Sequence, residues 1–203
     1  TFGVKIIETM GLTETAAQIL SNPPHQGKHG SAGKAYGNEV RLIDDHGNYL
    51  PYGKTRELVI KGENVLLEYF KNEEATSGAF NDDGYFLTGD LGLMDEDGFF
   101  FITGRKKELI IKGGENISPR EIDDTLYKHN AVLEACTFGI EDDNYGEEIS
   151  ACVFLKDKLV ANEKELLDLC KADLGEYKTP SQIIFVDEPL PKGPSGKIQR
   201  LKI

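Results

Sequence analysis

The stretch GRKKELIIKGGENISPREID, residues 104–123, separates two kinds of sequence, and the fold follows from what lies on either side. Within it, ELIIK (108–112) reads as a short strand. Gly113 and Gly114 come next. Their missing Cβ atoms let a ligand's chain approach the backbone closely, and they suit an ordinary strand-to-helix turn equally well. SPREIDDTLYKH (118–129) then opens a helix. Ser118 stands at the N-cap, Pro119 at N1 and Glu121 at N3, where it completes a capping box. Ile122 and Leu126 share one face of that helix.

Downstream the pattern stays mixed. LEACTFGI (133–140) and ISACVFL (149–155) read as strands. NEKELLDLCKADLG (162–175) reads as an amphipathic helix, with Asn162 as cap, Leu166, Cys170 and Leu174 on one stripe and Gly175 as stop. QIIFV (182–186) is a last strand. This order predicts a small α+β domain, a three-stranded sheet with both helices on one face. Upstream the sequence is mostly β. VKIIE (4–8), EVRLI (39–43) and RELVIK (56–61) are short runs bounded by turn residues. DLGLMDEDGFFFIT (90–103) reads as a hairpin turning at Asp97-Gly98, and a short helix is expected from Asn72. Two domains are expected, 1–104 and 105–203.

Composition bounds the function. The chain has 203 residues, 39% hydrophobic, with a formal net charge of -12. That charge argues against a nucleic-acid partner, which needs a basic face, but leaves room for a small anion held by a few placed cations. No apolar run approaches the roughly 20 residues of a membrane helix. TFGVKIIE (1–8) has the character of a domain interior rather than a leader, so the chain is expected to be part of a longer protein. Cys136, Cys152 and Cys170 are odd in number, lack metal-ligand spacing and sit in apolar stretches. Buried thiols in a reducing compartment, the cytoplasm, are the expectation. His25 and His29 lie in a Pro/Gly loop, not on a helix, which argues against zinc. NDDG (81–84) and DEDG (95–98) lack the pattern of a calcium loop and read as turns.

Four motifs carry chemistry. MGLTET (10–15) places Thr13 and Glu14 after a strand and Gly11; a hydroxyl and a carboxylate there suit a phosphate with its magnesium, or simply a helix start capped by Thr13. YFLTGDLG (85–92) puts Thr88, Gly89 and Asp90 at a strand boundary, where a carboxylate can accept from a ribose diol or serve a β-turn. The glycines of the opening stretch are the third motif. LPKGPSGKIQR (190–200) is the fourth. It fails as a phosphate-binding P-loop, because Pro191 stands where that loop has its first glycine and Ile198 where it has Ser or Thr.

Taken in this order, M-G-L-T-E-T, Y-F-L-T-G-D, G-R-K-K-E-L-I-I-K-G-G-E-N-I-S-P-R-E-I-D and P-K-G-P-S-G-K-I-Q-R resemble the adenylate-forming superfamily: acyl- and aryl-CoA synthetases, peptide-synthetase adenylation domains and luciferases. The resemblance covers essentially the whole chain. It implies the β-rich end of the large N-terminal domain (1–104) followed by a mobile C-terminal cap domain (105–203), in an AMP-forming acyl-CoA synthetase of the kind found in fatty acid metabolism. By the same resemblance, Gly11 and Thr13 contact phosphate and Glu14 ligates Mg²⁺. Asp90 grips the ribose with help from Arg105, and Lys107 is the hinge. Gly113 and Gly114 line the pantetheine path, and Lys197 is the catalytic lysine of adenylation. ATP, Mg²⁺, CoA and a small-molecule carboxylic acid are the implied ligands. Met10 replaces the family's usual aromatic, so weaker stacking near adenine is expected. Ile111 replaces a lysine that many members carry; Lys112 points to the opposite face of a strand and does not inherit that role. The family's phosphate loop and most of the acyl pocket are expected before Thr1. The 203 residues alone are therefore expected to make no acyl-CoA, which a pyrophosphate-release assay checks. A domain loading a carrier protein and a non-catalytic nucleotide-binding module are the alternatives.

Overall fold

The computed structural model describes residues 4–203, apart from the Leu201 side chain. The chain divides into two compact units, Thr1–Lys106 and Lys107–Ile203. Each is described separately.

The first unit holds β1 (Thr9–Gly11), β2 (Gln18–Ser21), β3 (Lys34–Ala35), β4 (Glu39–Ile43), β5 (Tyr49–Leu50), β6 (Arg56–Lys61), the short helix α1 (Glu73–Ser77), β7 (Phe86–Met94) and β8 (Phe100–Arg105). They form a three-stranded sheet in the order β1-β2-β3 and a five-stranded antiparallel sheet in the order β5-β4-β6-β7-β8. RELVIK does not alternate because the larger sheet is covered on both faces. Leu58 and Ile60 pack with Ile19, Leu20, Leu42 and Phe100, while Val59 packs with Ile43 and Tyr85. The turn at Asp97-Gly98 forms as expected, with Gly98 at φ 81° and the Asp95 carboxylate accepting from the N–H groups of Asp97 and Phe99. Asn72 caps α1 by accepting from Ala75 N–H. VKIIE is not a strand: β1 begins at Thr9, and Val4 and Ile6 are exposed. An apolar run without a neighbouring strand has no ladder to join.

The second unit holds β9 (Ile110–Lys112), β10 (Glu115–Ile117), α2 (Pro119–Leu126), β11 (Val132–Asp142), β12 (Gly146–Leu155), α3 (Glu163–Leu174) and β13 (Gln182–Val186). Its sheet has five strands, not three. β9 and β10 form a hairpin attached to β12 through Gly146 and Lys112, β11 pairs β12 antiparallel, and β13 pairs β12 in parallel. Gly113-Gly114 is therefore a hairpin turn rather than a strand-to-helix turn. Both glycines have positive φ, 56° and 83°, as a two-residue hairpin turn demands.

Both helices cover one sheet face. Ile122 and Leu126 of α2 and Leu166 and Cys170 of α3 pack against Ala135, Ile149, Ala151, Val153 and Ile183. The alternate positions Cys136 and Cys152 face the other way, against Leu190, Phe138, Val186 and Ile198. Asn162 and Glu165 form the reciprocal capping box of α3. At α2 the expected box does not form. Ser118 makes no side-chain cap bond, and Glu121 instead accepts from Lys178 at 2.8 Å. A charge-assisted bond from a distant cation outweighs a local cap.

All three cysteines are free and buried. Burial pushes the Cys136 thiol up to about 12, against the opposing Arg200 charge, and Cys170 up to about 11. Burial raises the Cys152 thiol as well, and since the thiolate is the reactive form, all three are held in the unreactive protonated form at neutral pH. The native protein is expected to label slowly with a thiol-specific disulfide reagent and to release all three thiols at once in denaturant. Rapid native labelling of any one would contradict this burial.

Candidate active site

In the first unit, Gly11 ends β1 where the register with β2 shifts. A Cβ there would come within 2.7 Å of Ala17 O, so only glycine fits. The chain then makes one 3₁₀ turn, Thr13–Thr15, and reverses through Ala16 in the left-handed region at φ 53°. Thr13 does not cap a helix. Thr15, fully buried, holds the turn: its hydroxyl accepts from Leu12 N–H at 3.2 Å and lies 2.9 Å from Ala17 O. Thr13 is left exposed and Glu14 half-buried.

A strap from residues 64–69 closes over this turn. Leu66 N–H donates to Glu14 O at 2.7 Å and the Asn64 amide donates to Thr15 O at 2.7 Å. The Tyr69 hydroxyl donates to the Glu14 carboxylate at 3.2 Å. Sequence reading passed over Tyr69, which lies 55 residues from Glu14 with no local signal joining them.

Asp90 does not sit at a strand boundary. It lies inside β7 at a bulge, where Thr88, Gly89 and Asp90 together oppose the single residue Leu58. Gly89 takes φ 69°, Thr88 Oγ1 donates to Leu58 O at 2.8 Å, and Asp90 N–H donates back to Thr88 Oγ1 at 3.0 Å. Extra residues in one strand turn a side chain out of the ladder's alternation, which is how bulges aim functional groups. Arg105 stands opposite Asp90 on β8, and its Nε pairs with Asp90 Oδ1 at 2.8 Å. The Asp90 side chain is only 5% exposed while that of Arg105 is more than half exposed. Beneath the bulge, Glu57 accepts from Gly89 N–H at 3.1 Å and pairs with Lys106 at 3.1 Å. Glu57 and Lys106 are a second layer that motif reading did not find.

In the second unit, Lys107 is the first residue after the division of the chain and is exposed. Lys112 is buried while Ile111 is exposed, so the two do point to opposite faces. The tail is a small hairpin. Gly193 N–H donates to Lys197 O at 2.9 Å, Gly196 N–H to Gly193 O at 2.9 Å, and Gln199 N–H to Pro191 O at 2.8 Å. Gly196 supplies the positive φ of 77°. Lys197 is exposed at the start of the returning arm.

Both flanks of that lysine are fastened. Before it, Leu190 is buried, and Leu190 N–H and Lys192 Nζ both donate to the Glu134 carboxylate. After it, Ile198 packs beside Cys136 and Cys152. Arg200 follows, its side chain 14% exposed, and pairs with Asp123 at 2.8 Å and Glu108 at 3.2 Å. Its guanidinium also donates to Thr137 O.

The first unit thus holds a hydroxyl-carboxylate turn at Thr13–Glu14 and a bulge-borne Asp90–Arg105 pair, and the second unit holds an exposed lysine on a fastened hairpin. Known proteins place it further. Residues 1–70 match the AMP-binding enzyme family, and residues 121–197 match the AMP-binding enzyme C-terminal domain. The chain is 49% identical to the sulfoacetate–CoA ligase of Cupriavidus necator, over all of this chain and 40% of that protein. It is 42% identical to the oxalate–CoA ligase of Saccharomyces cerevisiae, over 98% of this chain and 37% of that one. ATP-bound MatB from Rhodopseudomonas palustris superposes with a TM-score of 0.90 at 35% identity, and MenE from Bacillus subtilis with ATP and magnesium with 0.87 at 37%; the matches cover 98% and 97% of this chain and 40% of each of those chains. The chain belongs to the adenylate-forming family of AMP-binding enzymes. It spans about two-fifths of the length of the curated relatives it matches.

Proposed function

We propose that this chain forms part of an ATP-dependent acid–CoA ligase. A carboxylate oxygen attacks the α-phosphorus of ATP and the bond to pyrophosphate breaks. The sulfur of CoA then attacks the acyl carbon and AMP leaves. Asp90 accepts from the ribose hydroxyls, with Arg105 paired to its carboxylate. Gly11 and Thr13 present backbone and hydroxyl to phosphate. Gly113-Gly114 borders the CoA chain, and Lys107 is the point at which the second unit, acting as a cap, turns between the two half-reactions.

The observation that carries this reading is the tail hairpin: Lys197 is exposed between flanks that are buried or ion-paired on both sides. An ammonium held in advance costs little reorganisation when charge builds on phosphate.

Glu14 fits magnesium. A hard cation that keeps several waters needs only one or two protein carboxylates beside the phosphates, and the described residues offer no cluster of three or more candidate ligands. Magnesium would offset phosphate charge; Tyr69 orients the carboxylate that meets it. Tyr69→Phe is expected to raise the Mg²⁺ requirement of ATP–pyrophosphate exchange roughly tenfold, the usual size of a lost outer hydrogen bond at a metal site. An unchanged magnesium titration would remove Tyr69 from this role.

The relatives named for sulfoacetate, oxalate and 2-succinylbenzoate support a small acid with a second anionic group rather than a fatty acid. The test is exchange by the full-length protein across such acids and a medium-chain fatty acid. Exchange is expected with at least one of the small dianions. No exchange with any acid would favour a non-catalytic module.

A further inference from the structure

The two glycines of the Gly113-Gly114 turn face different surroundings. A Cβ on Gly113 would lie 2.8 Å from the Tyr177 hydroxyl and 3.4 Å from the Tyr145 ring, whereas one on Gly114 would meet nothing within 4 Å. The room that Gly113 leaves is already filled by protein. Tyr177 lies in a 3₁₀ turn, Glu176–Lys178, after α3. Its hydroxyl donates to Lys112 O, and Gly113 N–H donates to Tyr145 O at 2.8 Å. Beneath the turn, the Lys112 ammonium lies 5.2 Å from the Tyr177 ring centre and 5.6 Å from that of Tyr145. It pairs with Glu148 at 2.5 Å, with its side chain only 9% exposed. Glu148 in turn accepts from Ile149 N–H at 2.8 Å. A hairpin with three residues in each strand is marginal by itself. A desolvated cation between two aromatic faces gives it a fixed seat.

We propose that Lys112, Tyr145, Tyr177 and Glu148 form a cage that holds this turn from below, so that Gly114 alone offers bare backbone to the thiol substrate, and that Tyr177 is a positioning residue for the thioester-forming half-reaction. This rests on the reading that the turn borders the path of CoA. Beyond the positive φ that the turn asks of both, Gly113 is then a glycine for Tyr177's sake, and Gly114 for the ligand's.

The experiment separates the two half-reactions in the full-length protein and follows amide exchange at Gly113. Tyr177→Phe keeps the ring and the cation–π contact but loses one hydrogen bond, worth about fivefold. The KM for CoA is expected to rise about fivefold, while acyl-adenylate formation without CoA stays within about twofold. The charge-neutral pair Lys112→Met with Glu148→Gln is expected to speed Gly113 exchange and raise the same KM further. Gly114→Asn tolerates the left-handed backbone and is expected to block thioester formation while sparing adenylation. Gly113→Asn is expected to unseat Tyr177 and lower the melting temperature. Equal losses in both half-reactions, or an unchanged KM for CoA in Tyr177→Phe, would overturn the proposal. Faster Gly113 exchange in a protein whose wild type forms the adenylate yet transfers nothing to CoA would instead sink the CoA reading and leave the cage as a turn clamp.

Discussion

Lys197→Ala in the full-length protein is expected to slow adenylate formation about a thousandfold and to leave the thioester step from supplied acyl-adenylate nearly unchanged. In the first half-reaction two anions must meet, and negative charge builds on the α-phosphate. A unit charge pair at about 4 Å is worth roughly 4 kcal/mol at an effective dielectric near 20. At 1.36 kcal/mol per tenfold in rate, that is about three decades. The interaction accelerates the reaction only if it is stronger in the transition state than before it. A flexible tail would dissipate much of it in ordering the side chain. The hairpin avoids that loss, because Gly193, Gly196 and Gln199 fix the backbone around the lysine. Pyrophosphate exchange measures the first half-reaction and thioester formation the second. An alanine variant within about threefold of wild type in exchange would end the proposal that this ammonium does the chemistry. Lys197→Arg keeps the charge but changes its reach and shape, and is expected to recover only part of the rate.

Much of this was legible in the sequence, for identifiable reasons. The Asp97-Gly98 hairpin, the Asn72 and Asn162 caps and the stripe of Leu166 and Cys170 are local signals, each complete within a few residues. The order of the four motifs singled out the family before any coordinates did. What escaped was long-range. RELVIK is buried at four consecutive positions because both sheet faces are covered, and that follows only from knowing its neighbours. The hairpin at Gly113-Gly114 joins the sheet through a single pairing with Gly146, 34 residues away in the chain, so three strands became five. Ser118 looked like half of a capping box until Lys178 took Glu121. Asp90 was found as a residue but not as a bulge, since the extra residues are visible only against Leu58 on the partner strand. Tyr69 and Glu57 carry no motif at all; nothing in their immediate sequence marks them as supports of Glu14 and Gly89.

Arg200 gives the second large effect. Arg200→Met is expected to destabilise the second unit by about 3–5 kcal/mol, the usual result of removing one partner from a buried ion pair, and to lower adenylation by the full-length protein as well. Arg200 reaches Asp123, Glu108 and Thr137 O from three residues beyond Lys197. The Asp123 side chain is only 10% exposed, and its other oxygen accepts from Thr137 N–H at 2.7 Å. Burial raises the Asp123 carboxyl above its ordinary value, and the Arg200 charge pulls it back. Without Arg200 only the upward push and the Thr137 hydrogen bond remain. A carboxyl raised in the folded state contributes stability below the unfolded pKa and loses it as pH rises through the folded pKa. The variant's deficit should therefore be smaller at pH 4 to 5 than at pH 8, a comparison that melting curves at the two ends can make. Adding Asp123→Asn, which removes the stranded charge but keeps an acceptor for Thr137, is expected to recover part of the stability at pH 8 and to flatten the pH dependence. It should not restore adenylation, because the arm that leaves Lys197 would then keep only the packing of Ile198 and the Gln199–Pro191 hydrogen bond, without the Arg200 anchor. Recovery of stability without recovery of rate would separate the fold-holding role of this pair from its role in aiming the lysine; a single Arg200→Met variant as stable and as active as wild type would deny both.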